Sequence, residues 1–385
     1  MVSTESKLAA IRVPVLAIAL AVLLTACGSR PETGALAIST QAAPKAEVHD
    51  ILIATTREKD TRPDTYFNGN RSETLSFAKA SISVPPTHQP GAIEWPRSAP
   101  GNPNTDFVAR EAGYVESQQA FLTRLNQQLR KRPKGQRNIL LFIHGYNTMY
   151  SEGLYRLTQF VHDSKADVVP VLFTWASRGQ VTGYVYDLNS AAIARDSLID
   201  TLQLLNKSDA ETISILAHSM GNYLLMETGR QMTRQQFQSL DRKLKLVVMA
   251  APDIDIDLFK STLRRNGPPR NPYIIVVSRD DSALRISRRV AGGIERLGAY
   301  SDDEELAELG AIVVDVTDLQ SDQTSSHSKF AALAQFSPEL RQALISSGLT
   351  EVASIAGPVN RGENLGNFVG NTVALPIKIV TSPFN

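Results

Sequence analysis

Residues 212–223 read Thr-Ile-Ser-Ile-Leu-Ala-His-Ser-Met-Gly-Asn-Tyr, and this dozen decides the fold. The first six residues form a short, almost wholly apolar run, the pattern of a strand buried on both faces. A helix-like stretch follows at 221–232. Between them lie Ala217, His218, Ser219, Met220 and Gly221. Small residues on both sides of a serine let strand and helix approach across a sharp turn, and that turn lifts the Ser219 hydroxyl out of the sheet. The Met220 amide then points at the same spot, where a helix N-terminus favours developing negative charge.

Outward from this stretch the same rhythm repeats. Short apolar runs at 138–143, 168–175, 244–250, 273–278 and 311–316 alternate with helix-like stretches at 151–162, 188–206, 256–264 and 283–290. Continuous apolar strands alternating with amphipathic helices imply an α/β fold, a mostly parallel central sheet flanked by helices on both faces. Before it, 48–55 and 75–84 read as strands, the second closed by Pro85 and Pro86. A proline-rich loop spans 87–105, and 107–131 reads as a helix with Val115, Phe121, Leu122, Leu125 and Leu129 apolar. No internal repeat or low-complexity block interrupts the pattern.

Composition narrows the function. The 385 residues carry 40 Lys+Arg against 39 Asp+Glu, a balance that excludes a strongly basic nucleic-acid binder, so no nucleic-acid partner is expected. With one cysteine, no intramolecular disulfide and no cysteine-built structural zinc site can form. The oligomeric state is not legible.

In an open parallel sheet, reactive groups collect outside the carboxyl ends of the strands. Besides the serine turn, four stretches fall there: His144-Gly145-Tyr146-Asn147, Arg279-Asp280-Asp281, Ala251-Pro252-Asp253-Ile254-Asp255, and the polar loop reaching Ser326-His327-Ser328. One aspartate of 280 and 281 is expected to cap a helix starting near Ser282, and Asp253 is either a reserve acid or, with Asp255, a candidate cap for a helix starting at Ile256.

The words IHGYN (143–147), FTWASRG (173–179), Tyr184 to Asp187, AHSMGN (217–222), AAPDID (250–255), SRDDSAL (278–284) and HSKF (327–330) together resemble one branch of the α/β-hydrolase superfamily. That branch holds bacterial esterase/lipase-like proteins of largely unassigned function. The resemblance covers 48–330. The branch more usually has Trp-Pro-Ser where this chain has Trp175-Ala176-Ser177, a departure expected to alter a loop and not the chemistry. It implies Ser219 as nucleophile, in an elbow with Ala217 at the first glycine position of Gly-x-Ser-x-Gly. It implies an oxyanion hole from the amides of Met220 and Tyr146, with Gly145 letting the backbone approach the substrate. His144 is either a brace for that loop or the catalytic base; family usage favours the brace. The resemblance places the triad acid at Asp281, through Ser278-x-x-Asp281-x-Ala283-Leu284, with Asp280 as runner-up and Asp253 in reserve. Of six histidines, His49, His88, His162 and His218 are poorly placed for proton transfer, which leaves His327 as the base.

The expected activity is therefore serine hydrolysis of a small-molecule or lipid ester through a Ser219–His327–Asp281 triad, needing no metal and no cofactor. An acyltransferase, a thioesterase, and a non-catalytic scaffold on the same fold are the rivals. Residues 177–188 are either part of a lid or acyl pocket, or a packing loop.

The ends of the chain carry other expectations. Lys7 and Arg12 precede an uncharged apolar run at 13–24, too short to span a bilayer but suited to a secretory signal. The run ends in Leu24-Thr25-Ala26-Cys27, which resembles a bacterial lipobox and implies acylation of Cys27 after removal of 1–26. That cleavage takes two basic residues and one acidic residue and leaves 38 of each sign, so attachment would come from lipid rather than charge. Gly28 points to the periplasmic face of the outer membrane. Residues 27–47 read as a flexible tether, 48–347 as the hydrolase domain and 348–385 as a C-terminal arm that packs on the domain or meets a partner.

Overall fold

A computed structural model describes residues 30–267, 269–318, Lys329 and 378–380. Within them, β1 (Glu47–Lys59), β2 (Phe67–Val84), β3 (Val108–Val115), β4 (Asn138–Ile143), β5 (Val169–Thr174), β6 (Thr212–His218), β7 (Leu244–Ala250), β8 (Tyr273–Val277), β9 (Ile312–Asp315) and β10 (Lys378–Val380) form one sheet. Its order is β10-β9-β8-β7-β6-β4-β5-β1-β2-β3. From β1 across to β9 every pairing is parallel, while β2 and β3 at one edge and β10 at the other run antiparallel. The helices are α1 (Gln118–Arg130), α2 (Tyr150–Ser164), α3 (Tyr184–Asn206), α4 (Met220–Gln231), α5 (Arg234–Asp241), α6 (Ile256–Asn266), α7 (Ser282–Val290) and α8 (Asp303–Glu308).

The apolar strands are buried from both sides, as their composition requires. On β4, Ile139, Leu141 and Ile143 enter one core with Phe121 and Leu125 of α1, Leu198 and Leu202 of α3, Leu224 of α4 and Phe259 of α6. Leu140 and Phe142 enter a second core with Leu154, Tyr155 and Leu157 of α2. Successive side chains of a strand point to opposite faces, so this split needs no further device. Among the described residues, no helix is long and apolar enough to cross a membrane.

The register sets up the site. Ile143 lies opposite Ala217 on one side and Phe173 on the other. The residues that follow these strands therefore emerge side by side at the carboxyl edge.

Two expectations are corrected. The stretch 107–131 is not one helix. Val108–Val115 pairs with β2, and only then does Ser117 cap α1, accepting from the Ala120 amide at 3.1 Å. Only Phe121, Leu125 and Leu129 make a buried helical stripe; Val115 faces the core as part of a strand.

The supposed tether is the second correction, because its described part, 30–46, is packed on the domain. Leu36 is buried, Ser39 donates its amide to Ala109 at 2.9 Å, Ile38 bridges Ala109, and the Tyr155 hydroxyl donates to the Ala35 carbonyl. Cys27 and the signal segment lie outside the described residues. Of the C-terminal arm, Lys378–Val380 pairs along β9.

Candidate active site

Ser219 occupies the turn between β6 and α4 at φ 52°, ψ −124°. That backbone region is costly for a residue with a side chain and persists only where the surroundings over-determine it. They do so here. The Ser219 amide donates to Ala250 at 2.9 Å, and its carbonyl accepts from the amides of Asn222 and Asp253 at 3.0 and 3.2 Å. The Asn222 side-chain amide donates to the carbonyls of Ala217, Ser219 and Ala250 at 3.0–3.2 Å. Met220 is the first residue of α4, so its amide stands outside the helical ladder.

The loop after β4 presses against this turn. A methyl group on Gly145 would sit 2.7 Å from the Ser219 Cβ and 3.0 Å from His218 Nδ1. One on Gly221 would sit 2.5 Å from the His144 carbonyl oxygen. Both glycines are thus required by close approach, and the Tyr146 amide is carried to the neighbourhood of the serine. The Tyr146 ring packs edge-on against Tyr184 at 5.3 Å, and its hydroxyl donates to the Val181 carbonyl.

His144 is a brace. It is fully buried, stacked on Trp175 with ring centroids 5.0 Å apart, with Nδ1 2.8 Å from the Gly145 carbonyl and Nε2 2.9 Å from Thr174 Oγ1. Burial, then the nearby Arg57 charge, pushes its pKa down to about 3. It therefore stays neutral and has no open approach to a substrate proton.

Two residues to which sequence patterns assign no role complete the brace. Arg57 sits where the β1–β2 register shifts, a bulge of the kind that re-aims a side chain. Its guanidinium is buried and donates to Thr174 Oγ1 at 2.8 Å and to the carbonyls of Ser177 and Thr148 at 2.8 and 2.7 Å. Burial lowers its pKa to about 10, which leaves it charged at neutral pH. Asp187 accepts from the amides of Asn147 and Arg178 at 3.0 and 2.9 Å and from Ser177 Oγ at 2.6 Å. Burial raises its carboxyl above the ordinary range against these donors. Asp187 closes one of the family words, at Tyr184 to Asp187; Arg57 lies beyond the strand expected at 48–55, and no local pattern marked it, because β1 runs on to Lys59.

The three candidate acids differ sharply. Asp253 is committed to a network: Oδ2 accepts from the Tyr184 hydroxyl at 3.0 Å, while Oδ1 accepts from Ser287 Oγ at 2.5 Å and pairs with Arg296 at 3.2 Å. Asp280 accepts from Ser278 Oγ at 2.5 Å and pairs with Lys329 at 2.8 Å. Despite some desolvation, those donors hold its carboxyl below the usual range. Asp281 is fully buried just past β8 and caps α7 through Oδ1, which accepts from the amides of Ala283 and Leu284 at 2.9 and 3.1 Å. Asp255 is the cap of α6. His327 lies outside the described residues. Lys329, two positions later, anchors at the carboxyl end of β9, donating to the Thr317 carbonyl at 2.6 Å.

Residues 177–188 combine a fixed base with an open tip. Ser177 and Asp187 are buried, whereas Val181 is 77% and Val185 61% exposed beside the site.

A parallel sheet, a strained serine between strand and helix, and a glycine loop laid against it define an α/β hydrolase. Residues 117–347 match the family model described as alpha/beta hydrolase of unknown function (DUF900), and the chain belongs to that family. No curated protein sequence matches it. Among solved structures, it is similar to EstE1, a thermostable carboxylesterase cloned from a metagenomic library, at 14% identity over 83% of this chain and 92% of that one, TM-score 0.32. It is similar to esterase 2 of Thermogutta terrifontis at 12% identity over 80% and 97%, TM-score 0.30. Lipase B of Aspergillus fumigatus matches at 13% identity over 50% of this chain, TM-score 0.29, and only 47% of the lipase's length is spanned.

Proposed function

We propose that this chain is a serine hydrolase acting on carboxylic esters. His327 takes the Ser219 proton, Asp281 orients the imidazole and stabilises its charged form, and Ser219 attacks the carbonyl to give an acyl-enzyme that water resolves. The amides of Met220 and Tyr146 stabilise the tetrahedral oxyanion. The observation that carries this reading is the positive φ of Ser219 at the mouth of a strand–helix elbow packed on Gly145. Strain held in place by so many bonds has little structural use away from chemistry. Asp281 is favoured as the acid because it is buried just past β8, whereas Asp253 and Asp280 are bound by cations.

The test is hydrolysis of short p-nitrophenyl esters and labelling by a fluorophosphonate. Ser219→Ala should abolish labelling and lower kcat/KM by roughly 10⁴-fold or more. Unchanged turnover in that variant would refute the assignment. Transfer to added alcohols in preference to water would move the reading to an acyltransferase.

The substrate class proposed is a lipid ester at a membrane surface. Arg30 is hydrogen-bonded to the Asn147 carbonyl at 2.8 Å and to the Gly179 carbonyl at 3.3 Å, on the rim of the site. An acylated Cys27 three residues earlier could be at most about 11 Å from Arg30 along an extended chain. The same rim exposes Val181 and Val185. Through the 2.8 Å bond between Tyr184 and Ser287 it meets α7, which exposes Ile286 and Val290. Replacing Val181 and Val185 with aspartate should reduce turnover of a phospholipid ester in vesicles while leaving a soluble short-chain ester unaffected. Equal loss on both would count against a membrane-facing rim.

A further inference from the structure

At the opposite end of the sheet from Ser219, three ligand-type side chains converge. Glu47 and His49 are two apart on β1 and so share one face; His162 lies in the last turn of α2, which returns to the same edge. His49 Nε2 and His162 Nδ1 are 3.2 Å apart, Glu47 Oε2 is 3.4 Å from His162 Nδ1, and Glu47 Oε1 is 3.7 Å from His49 Nε2. All three candidate donor atoms fall within 4.8 Å of one another.

These separations are informative. Bonds of about 2.0–2.1 Å from nitrogen and oxygen to zinc in a tetrahedron put neighbouring ligand atoms about 3.4 Å apart. The His49–His162 and His162–Glu47 Oε2 separations, 3.2 and 3.4 Å, lie close to that value, while His49 is 3.7 Å from the other Glu47 oxygen, so a small turn of the exposed carboxylate completes the set. Two of the donors are fixed by regular secondary structure and largely covered, with side-chain exposures of 13% for His49 and 17% for His162. Glu47, at 56%, faces the solvent side, where water can complete the coordination. The C-terminus of a helix also favours a cation.

We propose that Glu47, His49 and His162 form a binding site for a borderline divalent transition-metal ion of the zinc type. Two imidazoles and one carboxylate suit such an ion; magnesium and calcium ask for more oxygen ligands than this face offers. The site is remote from the chemistry and independent of the ester reading. Bound metal would clip the start of β1 to the end of α2, where the N-terminal segment enters the domain. Lys165, 3.9 Å from Glu47 Oε2, competes for that carboxylate, and its side chain is mostly exposed and can swing away. His88 faces His162 edge-on at 5.4 Å but is turned to Asp163 and Glu94, each at 2.8 Å.

The test uses the full chain, prepared without a histidine tag and stripped with chelator. Titration with Zn²⁺ should show one equivalent bound, and zinc in large excess over its dissociation constant should raise the thermal midpoint by several degrees; Mg²⁺ should do neither. Co²⁺ in place of zinc should give the intense visible bands of a four-coordinate nitrogen and oxygen site. His49→Ala and His162→Ala should each lower zinc affinity by 100-fold or more. Glu47→Gln, on an exposed side chain that carries no fold, should lower it about tenfold with circular dichroism unchanged. No zinc binding by the wild type, or undiminished stoichiometric binding in these variants, would overturn the site. Neither result bears on Ser219, whose activity is read separately by ester turnover.

Discussion

The proposed reaction rests on one backbone conformation, that of Ser219. Its turn works only because residues 145 and 221 lack a side chain. Gly221→Ala would drive a methyl group to 2.5 and 2.7 Å from the carbonyl oxygens of His144 and Ile143. Backbone cannot yield as a flexible side chain can, so a loss of about 1–3 kcal/mol in unfolding free energy is expected, measurable by denaturant titration. The neighbouring His144 carries a pH signature. Its folded pKa of about 3 is below the unfolded value near 6.5, so the unfolded state binds the extra proton. Stability should therefore rise with pH between about 3 and 6.5, and His144→Gln should flatten that limb of the curve. Ser219 and Gly221 were readable because a sharp turn from strand to helix demands small residues on both flanks of the serine, and that demand is local; Gly145 came only with the family resemblance, since the groups it presses against, Ser219 and His218, are distant in sequence. The choice among Asp253, Asp280 and Asp281 was not readable, because identical carboxylates differ here only in burial and partners.

At the level of elements, the site is a loop pinned from two directions. Asp187 at the start of α3 holds Asn147 and Ser177; Arg57 at the β1 bulge holds Thr148, Ser177 and Thr174. Asp187→Ala should free the loop proposed to supply the Tyr146 amide without touching substrate, so kcat should fall about 10²-fold with KM little changed, as steady-state kinetics would show. A second clamp joins the proline-rich loop to α2. His88 is held between Asp163 and Glu94. Burial opposes its charge, but the two carboxylates win and raise its pKa to about 9. The stability it contributes is complete below about pH 6.5 and lost as pH rises through about 9, a window worth up to about 3 kcal/mol. Thermal melts across that range should show the decline, and His88→Gln should remove it. Helix and strand identity were legible for the alternating central units, where length and apolar run agree. They were illegible at β3, whose residues pair with β2 only because that long strand presents an edge.

Across the whole molecule, residues 30–46 of the N-terminal stretch belong to the domain. Leu36 is buried beside Phe67, Phe107 and Tyr155 in the second core. Leu36→Ala should cost about 2–3 kcal/mol in chemical denaturation, where a free tether would show no change. The stretch contains no apolar periodicity, and a single leucine docking into a groove built by distant elements leaves no mark in a local pattern. Local chemistry alone determined the alternation of strands and helices, the parallel sheet and the serine elbow, because each depends on residues within a turn or two of one another. Tertiary structure alone decided that Arg57 is turned inward, that Asp253 and Asp280 are spoken for, that His144 is neutral, and that residues 30–46 lie on the domain. Those outcomes depend on which groups share a desolvated space, and burial is a property of the assembled sheet and its layers rather than of any segment of chain.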